Sequence, residues 1–185
     1  ILINSRMCAE GHRPICQDTG IVTVFLKIGM DVQWDAELSV SDMVNEGVRR
    51  AYTHPDNVLR ASILEDPAGA RRNTKDNTPA VIHMEVVKGD TVDVQLAAKG
   101  GGSENKSKLV MLNPSDSIVD WVVKTIPTMG AGWCPPGMLG IGIGGTAEKA
   151  ALMAKEALMD PIDIHELRER GPSNRLEELR LEIME

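Results

Sequence analysis

Ile21-Val22-Thr23-Val24-Phe25-Leu26-Lys27-Ile28 is the stretch from which the fold is read. Val22, Val24, Leu26 and Ile28 share one face of a β-rich segment, which predicts a buried strand. Upstream, Glu10-Gly11-His12-Arg13-Pro14 ends a helical segment over residues 1–9, because the residue before a proline is pushed out of helix. The hexapeptide Ile15-Cys16-Gln17-Asp18-Thr19-Gly20 therefore falls in the loop that feeds the strand. A thiol, an amide and a carboxylate in succession, ahead of a turn glycine, read as functional groups held on a stiff platform.

Downstream, Ser39-Val40-Ser41-Asp42 offers N-caps for a helix carrying Met43, Val44, Gly47, Val48 and Ala51, stopped at His54-Pro55. A polar, irregular segment follows over residues 57–79. Its Arg60, Arg71 and Arg72 are candidates to face an anion, with solvation as the plainer alternative, above all for Arg71 and Arg72. From Ala80 the period becomes two: Ile82, Met84 and Val86, then, after Lys88-Gly89-Asp90, Val92, Val94 and Leu96. This predicts a β-hairpin with one buried face, its second strand running into Gly100-Gly101-Gly102.

Asn113-Pro114-Ser115-Asp116 opens a helix bearing Ile118, Val119, Val122, Val123 and Ile126. Met138 to Gly145 reads as a glycine-rich buried strand, and Thr146-Ala147-Glu148 starts a helix running to Leu158. Residues 163–185 are charged and helical, broken at Gly171-Pro172. The fold expected is mixed α/β (α+β): mixed and antiparallel sheets packed with helices in a single domain.

Composition narrows the function. A chain of 185 residues, 42% hydrophobic, is long enough for a real core, but three Trp, one Tyr and one Phe leave that core aliphatic and Met-filled. A formal charge of -7 argues against nucleic acid or an anionic membrane as partner, and no apolar run reaches a membrane span. With no signal-peptide pattern, a soluble cytoplasmic protein is expected. Three unevenly spaced cysteines argue for reduced thiols rather than a disulfide framework. The missing initiator Met, and the helical spacing of Leu176, Leu179 and Ile183 up to Glu185, lead us to expect a fragment of a longer protein.

Three consecutive glycines present backbone N–H groups without Cβ obstruction, and Lys99, Lys106 and Lys108 add positive charge around them. Neither glycine-rich run matches a Walker A loop or a dinucleotide fingerprint, so a carboxylate is the ligand expected. The alternative for Gly100–Gly102 is a tight turn. For Gly140–Gly145 it is close helix packing, which is the better reading. Cys16 and Cys134 sit beside Pro or Gly in turns, where thiols are presented, whereas Cys8 lies in a helical stretch as a small hydrophobe. A zinc trio of Cys8, His12 and Cys16 is broken by Pro14 and lacks a fourth ligand, and a nucleophilic cysteine with His12 as base is similarly weak. Two thiolates in separate rigid loops suit an iron-sulfur dehydratase, whose open iron acts as a Lewis acid.

Taken together, Arg13-Pro14-Ile15-Cys16-Gln17-Asp18-Thr19-Gly20, the run from Ala98 to Lys108, Trp133-Cys134-Pro135-Pro136 and Gly144-Gly145-Thr146-Ala147-Glu148 are similar, in order, to segments of class I iron-sulfur fumarate hydratases. The same segments resemble L-tartrate dehydratase α subunits. The resemblance implies that Cys16 and Cys134 are two of three cysteines holding a [4Fe-4S] cluster. It also implies that Gln17, Asp18, Gly100, Gly101 and Gly102 line a dicarboxylate pocket, that Arg60 clamps a substrate carboxylate, and that Asp18 transfers the proton.

Residues 1–185 would then be part of the N-terminal hydro-lyase domain, with the third cysteine and a C-terminal domain or β subunit elsewhere and a homodimer as the assembly. The parent protein is expected to hydrate fumarate reversibly to malate, and the fragment alone to be inactive and without a complete cluster. The alternatives are dehydration of L-tartrate and a non-catalytic anion- or metal-binding module.

Overall fold

A computed structural model describes residues 2–11, 20–133 and 137–185. The chain divides into two compact units, Ile1–Asn105 and Lys106–Glu185. The chain combines helices and strands, in line with the α+β expectation, with all the strands of the described residues in the first unit and helices in the second.

The first unit opens with helix α1 (Leu2–Glu10) and strand β1 (Ile21–Gly29). Helix α2 (Val40–Thr53) begins where Ser39 Oγ accepts the Asp42 N–H at 3.1 Å, and it stops before Pro55, with His54 already extended. A short hairpin, β2 (Leu64–Glu65) with β3 (Arg72–Asn73), occupies part of the segment read as irregular. It is small because its strands are only two residues long.

Strands β4 (Val81–Val87) and β5 (Val92–Lys99) form as expected, but they do not pair with each other. The sheet order is β4-β1-β5, with β1 parallel to β4 and antiparallel to β5. This corrects the predicted hairpin. The physical reason lies in β1, whose residues Val22 to Leu26 are all buried. An apolar strand of that kind gains most from the central position, covered on both faces. Helix α2 then supplies the crossover that parallel pairing requires. The Lys88–Asp90 turn spans the far end of β1, where the N–H groups of Gly29, Met30 and Asp31 donate to Thr91, Val87 and Gly89, each at 2.9 Å.

Val22, Val24 and Leu26 pack on Val48 of α2, with Ile28, Val44, Tyr52 and Ile82 around them. Each fully buried aliphatic side chain stabilises by about 1.5–3 kcal/mol. The predicted buried face is a second correction: on β5 Val94 and Leu96 are both 57% exposed, and on β4 Met84 is 49% and Val86 69% exposed. The register of Val94 and Leu96 with Leu26 and Val24 puts them on the face that α2 covers, but the core there is built from β1, α2 and the start of β4, with no β5 side chain in it.

The second unit carries α4 (Ile118–Thr125), α5 (Ala147–Ala157), α6 (Ile164–Arg170) and α7 (Arg175–Met184), after the four-residue α3 (Gly101–Glu104) that closes the first unit. The stretch 137–145 is not a strand. Its glycines serve close approach instead, since a Cβ on Gly140 would strike the Ala154 carbonyl and one on Gly142 the Ala150 carbonyl, both in α5. An extended segment seated on helix backbone in this way has no ladder partner among the described residues.

The Gly171-Pro172 break is stapled by Glu177. Its carboxylate accepts from Arg170 Nη1 at 2.8 Å and Nη2 at 2.6 Å, and from Ser173 N at 2.8 Å and Oγ at 2.9 Å. The Arg170 guanidinium foremost, then the Ser173 donors, hold this carboxyl far below its ordinary value of 4.5. A depressed carboxylate stabilises the fold above its unfolded value and loses that contribution as pH falls beneath it. Glu177→Gln is therefore expected to lower the thermal stability of the second unit at pH 7. The difference from the parent should shrink as pH drops below 4.5, and a difference that stays constant across that range would refute the staple.

Candidate functional site

The sheet topology decides which loops meet. Because β1 runs parallel to β4 and antiparallel to β5, the segment before β1, the segment before β4 and the segment after β5 all gather at one end of the sheet. Those segments carry Gly20, Asn77 and the run Gly100–Gly102. They enclose a concavity of about 450 Å³ lined by Gly20, Ile21, Ser62, Ile63, Leu64, Gly101 and Gly102. A volume in this range suits a small ligand.

Gly20 has φ +61°, and a Cβ there would collide with the Lys99 carbonyl and with the backbone of Gly100 and Gly101. Glycine is required twice over at this position, by the left-handed conformation and by the backbone-to-backbone contact. Gly101 differs: a Cβ would meet nothing within 4 Å, and its backbone is not left-handed. The fold therefore does not demand glycine at 101, which removes the tight-turn explanation for that residue and leaves open space over its backbone. The run continues into α3, where Ser103 Oγ donates to the Gly100 carbonyl at 2.9 Å.

The opposite wall is set by Asn77, which is wholly buried. Its Oδ1 accepts from Ser62 N at 2.8 Å and Ile63 N at 3.3 Å, while its Nδ2 donates to the Gly20 carbonyl at 3.0 Å. Ser62 Oγ also donates to that carbonyl, at 3.3 Å. The turn around Asn77 is held by its neighbours. Thr78 N and Oγ1 donate to Asp76 Oδ1 at 3.0 and 2.8 Å, and Arg49 of α2 reaches Asp76 Oδ2 at 3.1 Å. Burial alone would raise the Asp76 carboxyl, but the Thr78 donors and the Arg49 guanidinium outweigh it and keep the group low and ionised.

Of the residues singled out in the sequence, Cys16, Gln17, Asp18 and Cys134 lie outside the described residues. Gly100 caps α3, and Gly101 and Gly102 line the concavity. Arg60 is exposed and is not part of the lining, although it stands two positions before Ser62. Arg72 pairs with Glu65 at 2.8 Å across the small hairpin, and Arg71 Nε donates to the Pro67 carbonyl at 3.0 Å, so both serve the turn. Lys99, expected to lend charge to the glycines, is paired with Glu104 at 2.9 Å. Lys106 belongs to the second unit, where its side chain lies by Gly132. Cys8 sits on α1 with Sγ 4.0 Å from Asn4 Oδ1.

Sequence reasoning missed Ser62, Ile63, Leu64 and Asn77. Asn77-Thr78-Pro79 signals a turn and nothing more, because the partners of Asn77 lie 14, 15 and 57 residues away. Among the described residues, no three His, Cys, Asp or Glu groups converge as they would on a metal, and no helix is long and apolar enough to cross a membrane.

Comparison with known proteins places this geometry in context. The family model described as fumarate hydratase (Fumerase) matches residues 1–185. A protein of Methanocaldococcus jannaschii, named provisionally as L(+)-tartrate dehydratase subunit alpha, is 35% identical over all of this chain and 65% of its own length. The L(+)-tartrate dehydratase subunit alpha of Escherichia coli K12 is 27% identical over 98% of this chain and 59% of its own. The chain thus spans roughly three-fifths of the length of these curated relatives.

Proposed function

The chain belongs to the fumarate hydratase (Fumerase) family, and from that premise we propose that the whole protein is a hydro-lyase acting on a four-carbon dicarboxylate. The reaction is reversible hydration of fumarate to malate, in which one carbon of the double bond takes the hydroxyl and the other the proton. One observation carries the reading: Gly20, which closes the Cys16-to-Gly20 stretch, shares a concavity with Gly101 and Gly102. The names of the relatives favour a second reading, dehydration of L-tartrate, at the same site.

Gly100, Gly101 and Gly102 would receive one substrate carboxylate on backbone donors, with Gln17 and Asp18 beside it and Arg60 toward the other carboxylate. Asp18 would exchange the proton, a carboxylate being a suitable general acid or base when its surroundings tune it. Cys16 and Cys134 have the donor chemistry of a [4Fe-4S] cluster, soft thiolates from distant parts of the sequence, whereas Cys8 is engaged on α1. Such a cluster, when bound, supplies an open iron as a Lewis acid for the substrate hydroxyl and carboxylate. The third thiolate would come from elsewhere in the whole protein, and the rest of the pocket from a C-terminal domain or partner subunit, a reading supported by relatives named as alpha subunits.

The test is an assay of the full-length protein, with any partner subunit, on fumarate, malate and L-tartrate. Gly101→Val should raise KM at least about tenfold, as loss of a charge-assisted hydrogen bond would, while leaving the unfolding midpoint near that of the parent. Turnover of neither fumarate nor tartrate would sink the reading, and turnover of tartrate alone would select the second.

A further inference from the structure

We propose that Asn77 is a positioning residue, whose buried side-chain amide ties the Gly20 carbonyl to the Ser62 and Ile63 N–H groups and so sets the width of the ligand concavity. The inference rests on the reading of that concavity as the dicarboxylate site. The geometry is specific. Ile63 and Gly20 both line the cavity, and Asn77, which does not, is the side chain that bonds to both.

The amide's hydrogen bonds to Ser62, Ile63 and Gly20 all cross to distant parts of the chain, so Asn77 holds walls rather than its own turn, which Asp76 and Thr78 secure locally. Its backbone, at φ +60°, is one that Asn and Asp tolerate better than most side chains do. The amide accepts from two N–H groups on its oxygen and donates to a carbonyl from its nitrogen at once, without carrying a charge. The anchor is fixed to the rest of the unit by Arg49 to Asp76 and by Ala80 N donating to Asn45 Oδ1 at 2.8 Å, both links to α2. A ligand in the concavity would thus meet a wall that does not have to be ordered on binding, which favours affinity.

Asn77→Asp separates the two halves of the clamp. Because burial raises a carboxyl pKa, the variant is read at alkaline pH, where the ionised carboxylate still accepts from Ser62 and Ile63 but has no hydrogen to give Gly20 and repels that carbonyl. In the full-length protein, Asn77→Asp is expected to keep slow hydrogen exchange at the Ser62 and Ile63 amides and to raise KM for the dicarboxylate about tenfold, the worth of one buried hydrogen bond. Turnover at saturation should change less than about twofold, because uniform binding is what is lost.

Asn77→Ala should lose the protection of both amides as well. Should either variant fail to fold, Ser62→Ala removes only the second donor to Gly20 and is expected to raise KM about threefold, a modest share of one hydrogen bond. An unchanged KM in folded Asn77→Asp, or in Ser62→Ala where Asn77→Asp does not fold, overturns the proposal. So does a fall in turnover with KM intact. If the unsubstituted protein converts neither acid, the substrate reading fails instead, and exchange at Ser62 and Ile63 still decides whether Asn77 holds the walls.

Discussion

Gly20→Ala is expected to destabilise the first unit by on the order of 3 kcal/mol, the sum of a left-handed backbone forced on alanine and a methyl driven into backbone atoms. The atoms it would strike are the Lys99 carbonyl and the main chain of Gly100 and Gly101, none of which can rotate away as a side chain would. Those atoms belong to the end of β5 and the start of α3, so relief requires opening the β1–β5 pairing at Ile21 and Lys99. Gly101→Ala is the control. It adds the same methyl a few ångströms away into open space, and inside α3 it should be neutral or stabilising by up to about 1 kcal/mol. Denaturant midpoints of the two variants, measured side by side, check the pair. Equal stabilities would mean that Gly20 is not pressed against the glycine run.

Asp18→Asn in the full-length protein is expected to lower turnover by about 10²- to 10⁴-fold, the usual worth of a general acid or base. Visible absorption and iron content should remain those of the unsubstituted protein, since Asp18 is not among the proposed thiolate ligands. KM should move little by comparison, because an amide fills the same space and retains one acceptor. Near-normal turnover would remove Asp18 from the chemistry and leave it a loop residue. A loss of iron together with activity would assign it to cluster assembly instead.

Elements under the control of local chemistry are legible in the sequence alone. Ser39 announces α2 because its hydroxyl satisfies the Asp42 N–H, whereas α4 starts later than the run at residues 113–116 suggested, capped by Ser117 through Asp120 N. Pro55 and Gly171 end helices for reasons carried within one or two residues. The apolar alternation of β1 marked it as buried before any partner was known, and the glycine run at 100–102 was marked as site-like by composition alone.

What lay beyond the sequence was every relation between segments. Lys88-Gly89-Asp90 looks like a hairpin turn, yet β1 enters between the two strands, because burying Val22 to Leu26 on both faces outweighs local pairing of β4 with β5. The segment 138–145 has strand composition but lies against α5, where Gly140 and Gly142 admit helix backbone. Asn77 reads as one more turn residue. Only the tertiary structure gives it Gly20, Ser62 and Ile63, because a buried amide takes its partners from whatever the packed chain brings within 3.3 Å, and those partners come from loops that β-sheet register, not sequence distance, carries to the same end of the sheet.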